Sequence, residues 1–188
     1  DQRIFLTSGL GSMGYGLPAS IGNCISNNFK RTFLIESDGS FMFNLQELAT
    51  IKSYNLPIII ILMNNQGYAS IRNTHKNYFN KRYVGTGAED GIFYPSFKNI
   101  AKSFEFKYGF AYNKRSLFLS LKNNINNNKQ TLIEVLLNKD EILLPKVSSI
   151  LKSNGNISSF PMEDMMPLLS LDEIKEIMGD KINPKSIS

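Results

Sequence analysis

Apolar residues change their spacing several times along this chain, and each change of period predicts an element. Leu17, Ile21, Cys24 and Ile25 recur at helical intervals, so residues 17–28 read as a helix with one buried face. Pro18 falls in its first turn, where proline's missing N–H costs no hydrogen bond. Residues 31–36 form a β-rich run, and residues 58–63 read Ile-Ile-Ile-Ile-Leu-Met without a polar break. Such a run suits a central parallel strand covered on both faces, and the first strand should be buried beside it. Between them, apolar residues at 41, 45, 48, 49 and 51 predict a helix over residues 41–54, with Pro57 ending the connection. The short run Ile4-Phe5-Leu6 predicts one more strand within residues 1–8, which completes a βαβαβ unit by residue 63.

After residue 67 the period weakens in a stretch rich in Asn, Lys, Gly and aromatic residues. It predicts a short helix over residues 69–74 and then a long loop to Pro95. Periodicity returns with Phe97, Ile100, Ala101 and Phe104 on a helix over 95–104, then a weak strand over 106–111, a helix over 116–126 and a strong strand over 131–137. From Pro145 onward it fades again, apart from a Ser-Leu-Asp-Glu capping box that predicts a helix over 170–178. The expectation is an α/β fold, a central mainly parallel β-sheet with helices on both faces, over residues 1–147. A C-terminal tail or lid with one short helix follows over 148–188.

Composition changes this picture little. A chain of 188 residues, 42% hydrophobic and 20% charged, is long enough and apolar enough for one α/β domain with a core. The net charge of +5 is spread over Lys residues set among Asn and Ser, which reads as a solvated surface and not a nucleic-acid stripe. Cys24 is the single cysteine, so no internal disulfide forms, and its place on the buried helix face assigns it to packing. The N-terminus lacks the pattern of a signal peptide, and no apolar run approaches the ~18 residues of a membrane span. A cytoplasmic location without membrane contact is the expectation.

Chemistry concentrates at two turns. Ser37-Asp-Gly-Ser40 follows the first predicted long strand, and Asn64-Asn65-Gln66-Gly67 follows the second. Alone, each is an ordinary turn. Parallel strands joined by a crossover helix end at the same sheet edge, so Asp38 and Asn65 should face one crevice. A carboxylate and an amide oxygen there suit a hard divalent cation, and a cation beside backbone N–H groups suits a phosphate. A rival reading starts from Gly9-Leu-Gly-Ser-Met-Gly14, which satisfies G-x-G-x-x-G, with Glu36 about 20 residues on where a dinucleotide fold places its ribose-binding acid. The same glycines also fit a turn that serves backbone geometry alone.

The two turns together resemble the diphosphate-binding motif of thiamine-diphosphate enzymes, Gly-Asp-Gly followed by Asn-Asn. Residues 11–22, Gly-Ser-Met-Gly-Tyr-Gly-Leu-Pro-Ala-Ser-Ile-Gly, and 44–50, Asn-Leu-Gln-Glu-Leu-Ala-Thr, are similar to the acetolactate synthase branch of that family. The likeness runs over residues 10–147. Residues 82–87 and 160–169 are similar to acetolactate-synthase-like proteins found among bacterial surface-polysaccharide genes. Ser37 departs from the motif, standing where it has its first glycine.

The resemblance implies the family's diphosphate-binding domain, with thiamine diphosphate and Mg²⁺ as cofactors. Asp38 through its carboxylate, Asn65 through its side-chain oxygen and Gly67 through its carbonyl would hold the metal. Gly39, Ser40 and Tyr68 would meet the diphosphate. Gly11, Ser12 and Met13 would hold the aminopyrimidine end, with Met13 keeping the cofactor bent. Arg72 and His75 are candidates for the substrate side; a solvated loop is the better fit for His75, and packing or surface roles fit Tyr68 and Arg72 equally well. Glu47 reads as structural, and the Met-rich residues 162–166 fit a fold over the active site or a free end. The family's activating glutamate comes from a separate pyrimidine-binding domain, of the same or a neighbouring chain, which 188 residues leave no room for. The expected parent enzyme is a dimer or tetramer that decarboxylates a 2-oxo acid and joins the product to an acceptor, with any FAD bound outside this domain. The chain then reads as part of a longer polypeptide or half of a split enzyme, catalytically silent alone. A dinucleotide-binding oxidoreductase, or a non-catalytic subunit lending half a site or assembly surface, are the alternatives.

Overall fold

The computed structural model describes residues 2–141, 144–151 and 157–184, which form two compact units, one ending at Asp140 and one beginning at Glu141. In the first unit the elements run α1 (Gly16–Ser26), β1 (Thr32–Ser37), α2 (Asp38–Phe41), α3 (Glu47–Ser53) and β2 (Ile58–Asn64). They continue through α4 (Ala69–Tyr78), α5 (Phe97–Ser103), β3 (Lys107–Ala111), α6 (Lys114–Asn124) and β4 (Thr131–Leu136). The four strands make one parallel sheet in the order β1-β2-β4-β3, in agreement with the α/β expectation.

The uninterrupted apolar run takes the place its composition requires. β2 lies between β1 and β4, with Ile58, Ile59, Ile60 and Leu62 all buried. Its even-numbered side chains join Leu34 and Leu132 in a core with Leu17, Ile21 and Cys24 of α1, Leu48 and Ile51 of α3, and Phe97 and Ile100 of α5. Its odd-numbered side chains face the other layer, where Ile59 meets Ile133, Val135 and Ala111, with Leu117 and Leu121 of α6 packed against them. Burying one such aliphatic side chain contributes about 1.5–3 kcal/mol, so this paired packing fixes which residues lie at the strand ends.

Several expectations are corrected. No strand forms over residues 2–8, and Asp1 lies outside the described residues, so the chain builds αβαβ by residue 64. Ile4, Phe5 and Leu6 are exposed there, and no strand among the described residues pairs with them. The single helix expected over 41–54 is broken: α2 passes into a 3₁₀ turn at Met42–Asn44 before α3 begins. The tightening lets the Asn44 amide reach back to the Gly14 carbonyl at 2.7 Å. β1 is an edge strand, not a buried one, with Leu34 buried but Ile35 69% exposed. α4 runs to Tyr78, longer than expected, because its polar stretch of Asn, Thr, His and Lys carries no apolar period to read.

The second unit holds a short antiparallel pair, β5 (Ser149–Leu151) and β6 (Ile157–Ser159), and the helix α7 (Leu171–Met178). Three-residue strands are too short to show period 2, and the pair was not expected. α7 begins at the predicted capping box: the Glu173 N–H donates to Ser170 Oγ, and the Ser170 N–H donates to Glu173 Oε2 at 2.9 Å. Among the described residues, no helix is long and apolar enough to cross a membrane.

Candidate functional site

The site lies at the C-terminal edge of the sheet, where β1 and β2 end in register. Ser37 pairs with Met63, so Asp38 and the Asn64-Asn65 turn emerge side by side. Asp38 is fully buried, and its carboxylate accepts from the Gly39 N–H and the Gly67 N–H, each at 2.9 Å. Burial pushes this carboxyl above the usual range, opposed by the Gly67 and Gly39 N–H groups and by the cationic Arg72. No lysine or arginine forms an ion pair with it among the described residues. Ionised Asp38 therefore sits in a place that favours a compensating positive charge.

The two asparagines divide their work. Asn64 is taken up in shaping the turn, its amide donating to Glu134 Oε1 at 2.6 Å while its oxygen accepts from the Gln66 N–H at 3.0 Å. Glu134 also accepts from the Tyr108 hydroxyl at 2.6 Å, which anchors this turn to β3 and β4. Gln66 at φ 62 and Gly67 at φ 134 then swing the chain so that Asn65 faces Asp38. One side-chain position of the Asn65 amide lies 3.2 Å from Asp38 Oδ1 and 2.5 Å from the Gly67 carbonyl oxygen. With nitrogen there, the amide donates to both. With oxygen there, three oxygens converge, an arrangement that repels itself unless a cation lies among them.

Such a set, one carboxylate, one amide and one carbonyl, suits Mg²⁺ and not zinc. Among the described residues no group of three His, Cys, Asp or Glu side chains gathers elsewhere to hold a metal. Gly39 is crowded by the Tyr68 ring, which occupies the space a side chain would need, with the Tyr94 hydroxyl close behind. Tyr68 in turn stacks edge-on against Tyr94 with ring centroids 6.4 Å apart, and its N–H donates to the Thr86 carbonyl at 2.8 Å. Burial first, then the adjacent Tyr68, holds the Tyr94 hydroxyl well above the usual tyrosine range, so it stays protonated.

The glycine-rich turn is tied to this edge by two bonds. Ser40 Oγ accepts from the Gly14 N–H at 2.8 Å, and Asn44 donates to the Gly14 carbonyl. Beyond Gly14 the turn opens: Gly11 at φ 65, Ser12 and Met13 are exposed, and nothing stands within contact of Gly11's Cβ direction. The structure speaks against the dinucleotide reading of these glycines. Residues 2–8 ahead of them form no strand, and the Glu36 carboxylate folds onto Gly16 and accepts from the Ser37 N–H instead of standing free for a ribose.

The remaining candidates occupy varied places. The Arg72 guanidinium is engaged by four backbone carbonyls, those of Asn65, Gln66, Thr86 and Lys139. His75 lies on α4 between Phe79 and Tyr83, with ring centroids at 5.7 and 6.5 Å, and its buried Nδ1 has no hydrogen-bond partner. Glu47 accepts from Thr50 Oγ1 on its own helix, and Cys24 is buried with its thiol pushed up by burial, which makes it a poor nucleophile. Met162 is exposed at 76% in the second unit. Sequence reasoning did not single out the carbonyl contacts of Arg72, nor Tyr94, Asn44 and Asp90, whose carboxylate accepts from the Thr86 and Gly87 N–H groups. The only signal for the last was an Asp three residues after a Gly, a common turn pattern.

Comparison with known proteins gives this geometry a context. The family model described as thiamine pyrophosphate enzyme, C-terminal TPP binding domain, matches residues 1–135. The acetolactate synthase large subunit of Porphyra purpurea is 32% identical over 142 residues, covering 76% of this chain and 24% of the relative. The acetolactate synthase isozyme 2 large subunit of Escherichia coli is 32% identical over 146 residues, 78% of this chain and 26% of the relative. Among solved structures, the Rhodococcus jostii thiamine diphosphate-dependent 4-hydroxybenzoylformate decarboxylase aligns with a TM-score of 0.61 at 26% identity, over 70% of this chain and 24% of that one. The chain thus spans about a quarter of the length of the curated relatives it matches. With the family model covering the sheet, both turns and the glycine-rich segment, the chain belongs to the thiamine pyrophosphate enzymes as their C-terminal cofactor-binding domain, of the acetolactate synthase-like kind.

Proposed function

We propose that this domain holds the diphosphate end of thiamine diphosphate through a Mg²⁺ ion, within an enzyme that decarboxylates a 2-oxo acid and joins the product to an acceptor. One observation carries the metal assignment: a fully buried carboxylate, Asp38, with no basic side chain ion-paired to it among the described residues and with the Asn65 amide between it and the Gly67 carbonyl. Asp38, Asn65 and Gly67 supply three oxygen ligands, leaving the rest of the octahedron to diphosphate oxygens and water. Gly39 and Ser40 follow Asp38 directly in α2; the Gly39 N–H already holds the Asp38 carboxylate, and the Ser40 N–H would help orient the anion. Gly11, Ser12 and Met13 take the aminopyrimidine end. When bound, the cofactor supplies the electron sink that lets the carboxylate of a 2-oxo acid leave as carbon dioxide.

The activating glutamate belongs to a pyrimidine-binding domain of the same or a neighbouring chain, in a dimer or tetramer, so this chain alone does not turn over. The likeness of residues 82–87 and 160–169 supports an acetolactate-synthase-like member serving surface-polysaccharide synthesis in the cytoplasm. Titration calorimetry with thiamine diphosphate tests the core of the reading. Binding should require Mg²⁺ and be lost in Asp38→Ala. Binding that is unchanged by the substitution, or indifferent to the metal, overturns it.

A further inference from the structure

The Asn65–Gly67 turn adopts a conformation that its own residues do not favour. Gln66 has φ 62, a left-handed value for a residue with a side chain, and Gly67 has φ 134. Such a conformation persists only where the surroundings over-determine it. Those surroundings centre on Arg72, on the first turn of α4 after the site.

The two terminal nitrogens of Arg72 each bridge two carbonyls. Nη1 donates to Gln66 O at 3.2 Å and Thr86 O at 2.9 Å, and Nη2 donates to Asn65 O at 2.7 Å and Lys139 O at 3.0 Å. Two of these carbonyls belong to the turn itself, and drawing both toward the guanidinium leaves the next carbonyl, that of Gly67, on the Asp38 side beside the Asn65 amide. The other two come from distant segments. Thr86 and Gly87 are themselves locked by Asp90, whose carboxylate accepts from the Thr86 N–H at 2.8 Å, the Gly87 N–H at 2.6 Å and Thr86 Oγ1 at 2.5 Å. A Gly67–Gly87 bridge closes the arrangement.

We infer that Arg72 is a positioning residue for the cation site, setting the backbone of the Asn65–Gly67 turn and linking it to the Thr86–Asp90 loop and to Lys139. This rests on the reading of Asp38, Asn65 and Gly67 as cation ligands. The role needs a planar fork. Lysine concentrates its donors at one point and cannot bridge two carbonyl pairs at once. Arg72 acts in this role through its backbone partners, because both Nη1 and Nη2 are directed at carbonyl oxygens.

The test uses the full chain and inorganic diphosphate as probe, with affinity measured by calorimetry as Mg²⁺ is varied. Arg72→Lys keeps the charge but loses the fork, and Arg72→Ala loses both. Each should weaken the apparent Mg²⁺ affinity by about tenfold or more, the scale of one charge-assisted hydrogen bond. Adding methylguanidinium should restore most of it to Arg72→Ala, while methylammonium should not. Affinity within twofold of wild type in Arg72→Lys overturns the inference, and so does equal rescue by the two additives. Should Arg72→Ala fail to fold, the lysine variant decides alone. Wild-type chain that binds diphosphate without any dependence on Mg²⁺ would instead overturn the cation site, a separate outcome.

Discussion

The two ends of the proposed cofactor site differ in how much of them this domain supplies. At the Asp38 end every group is buried or braced: the carboxylate is 0% exposed, Asn64 is locked to Glu134, and Arg72 ties the turn to two other segments. At the Gly11–Met13 end the described ties to this edge run through Gly14, the Gly11 N–H bonds only back to Thr7 within the same segment, and Met13 is 42% exposed. A diphosphate with its metal needs a few fixed oxygens and N–H groups, which two parallel strand ends can deliver. A bent pair of aromatic rings needs walls on several sides. Under the proposed reading, the charged end of the cofactor is held within this domain, and the ring end calls for a second surface.

The largest effect that would break this contrast is at Gly67. Its φ of 134 is a conformation side chains rarely adopt, and a Cβ there would collide with the Thr86 carbonyl. Gly67→Ala should cost about 3 kcal/mol or more in stability, from backbone strain together with a displaced loop. Metal-dependent diphosphate binding should vanish with it. Chemical denaturation and calorimetry measure the two losses, and a stable variant with intact binding would show that the braced end is less rigid than its bonds indicate.

How much of this was legible beforehand follows from the same physics. The β2 run and the two turns were readable because parallel strands of matched length end together, so Asp38 and Asn65 converge whatever the loops do. The false strand near Ile4 arose because a short apolar run carries no information about whether a neighbour exists to pair with it. Arg72 was named for the substrate side, and its bonds to the backbone carbonyls of residues 65, 66, 86 and 139 were not foreseen, since backbone atoms leave no trace in side-chain pattern. The knot of Asp90 with Thr86 is hidden for the same reason. Glu36 illustrates the converse: its spacing fitted a ribose-binding acid, but packing turned its carboxylate onto Gly16.

A middle-sized effect tests the joint between the two ends. Ser40 Oγ is the acceptor for the buried Gly14 N–H at 2.8 Å, so Ser40→Ala leaves that donor unsatisfied. The expected cost is about 1–2 kcal/mol in stability. Hydrogen exchange at Gly14 should quicken by a corresponding factor while the Asp38 turn keeps its protection. A smaller effect is expected in the second unit, where Ser170 caps α7. Ser170→Ala should cost about 1 kcal/mol and fray that helix without changing diphosphate affinity. Glu173, the partner in this capping box, has its carboxyl held below the usual range by the Ser170 hydroxyl and N–H. A depressed acid stabilises the fold above its unfolded-state pKa, so the contribution of the cap should fade as pH falls through the folded value.

The smallest expected effect separates the two ends most cleanly. Met13 is 42% exposed on the glycine turn and belongs to neither hydrophobic cluster among the described residues. In this chain Met13→Ala should therefore leave the affinity for inorganic diphosphate and Mg²⁺ within twofold of wild type. Thiamine diphosphate should bind the wild-type chain only modestly better than inorganic diphosphate does, because one methionine face is a poor substitute for an enclosed pocket. When a pyrimidine-binding partner is supplied, the same substitution should acquire a cost, as the side chain then packs against the rings from one side while the partner closes the other. A large loss of diphosphate binding in Met13→Ala without any partner would mean that the two ends are coupled inside this domain, and that Ser40 and Gly14 transmit more than a hydrogen bond between them.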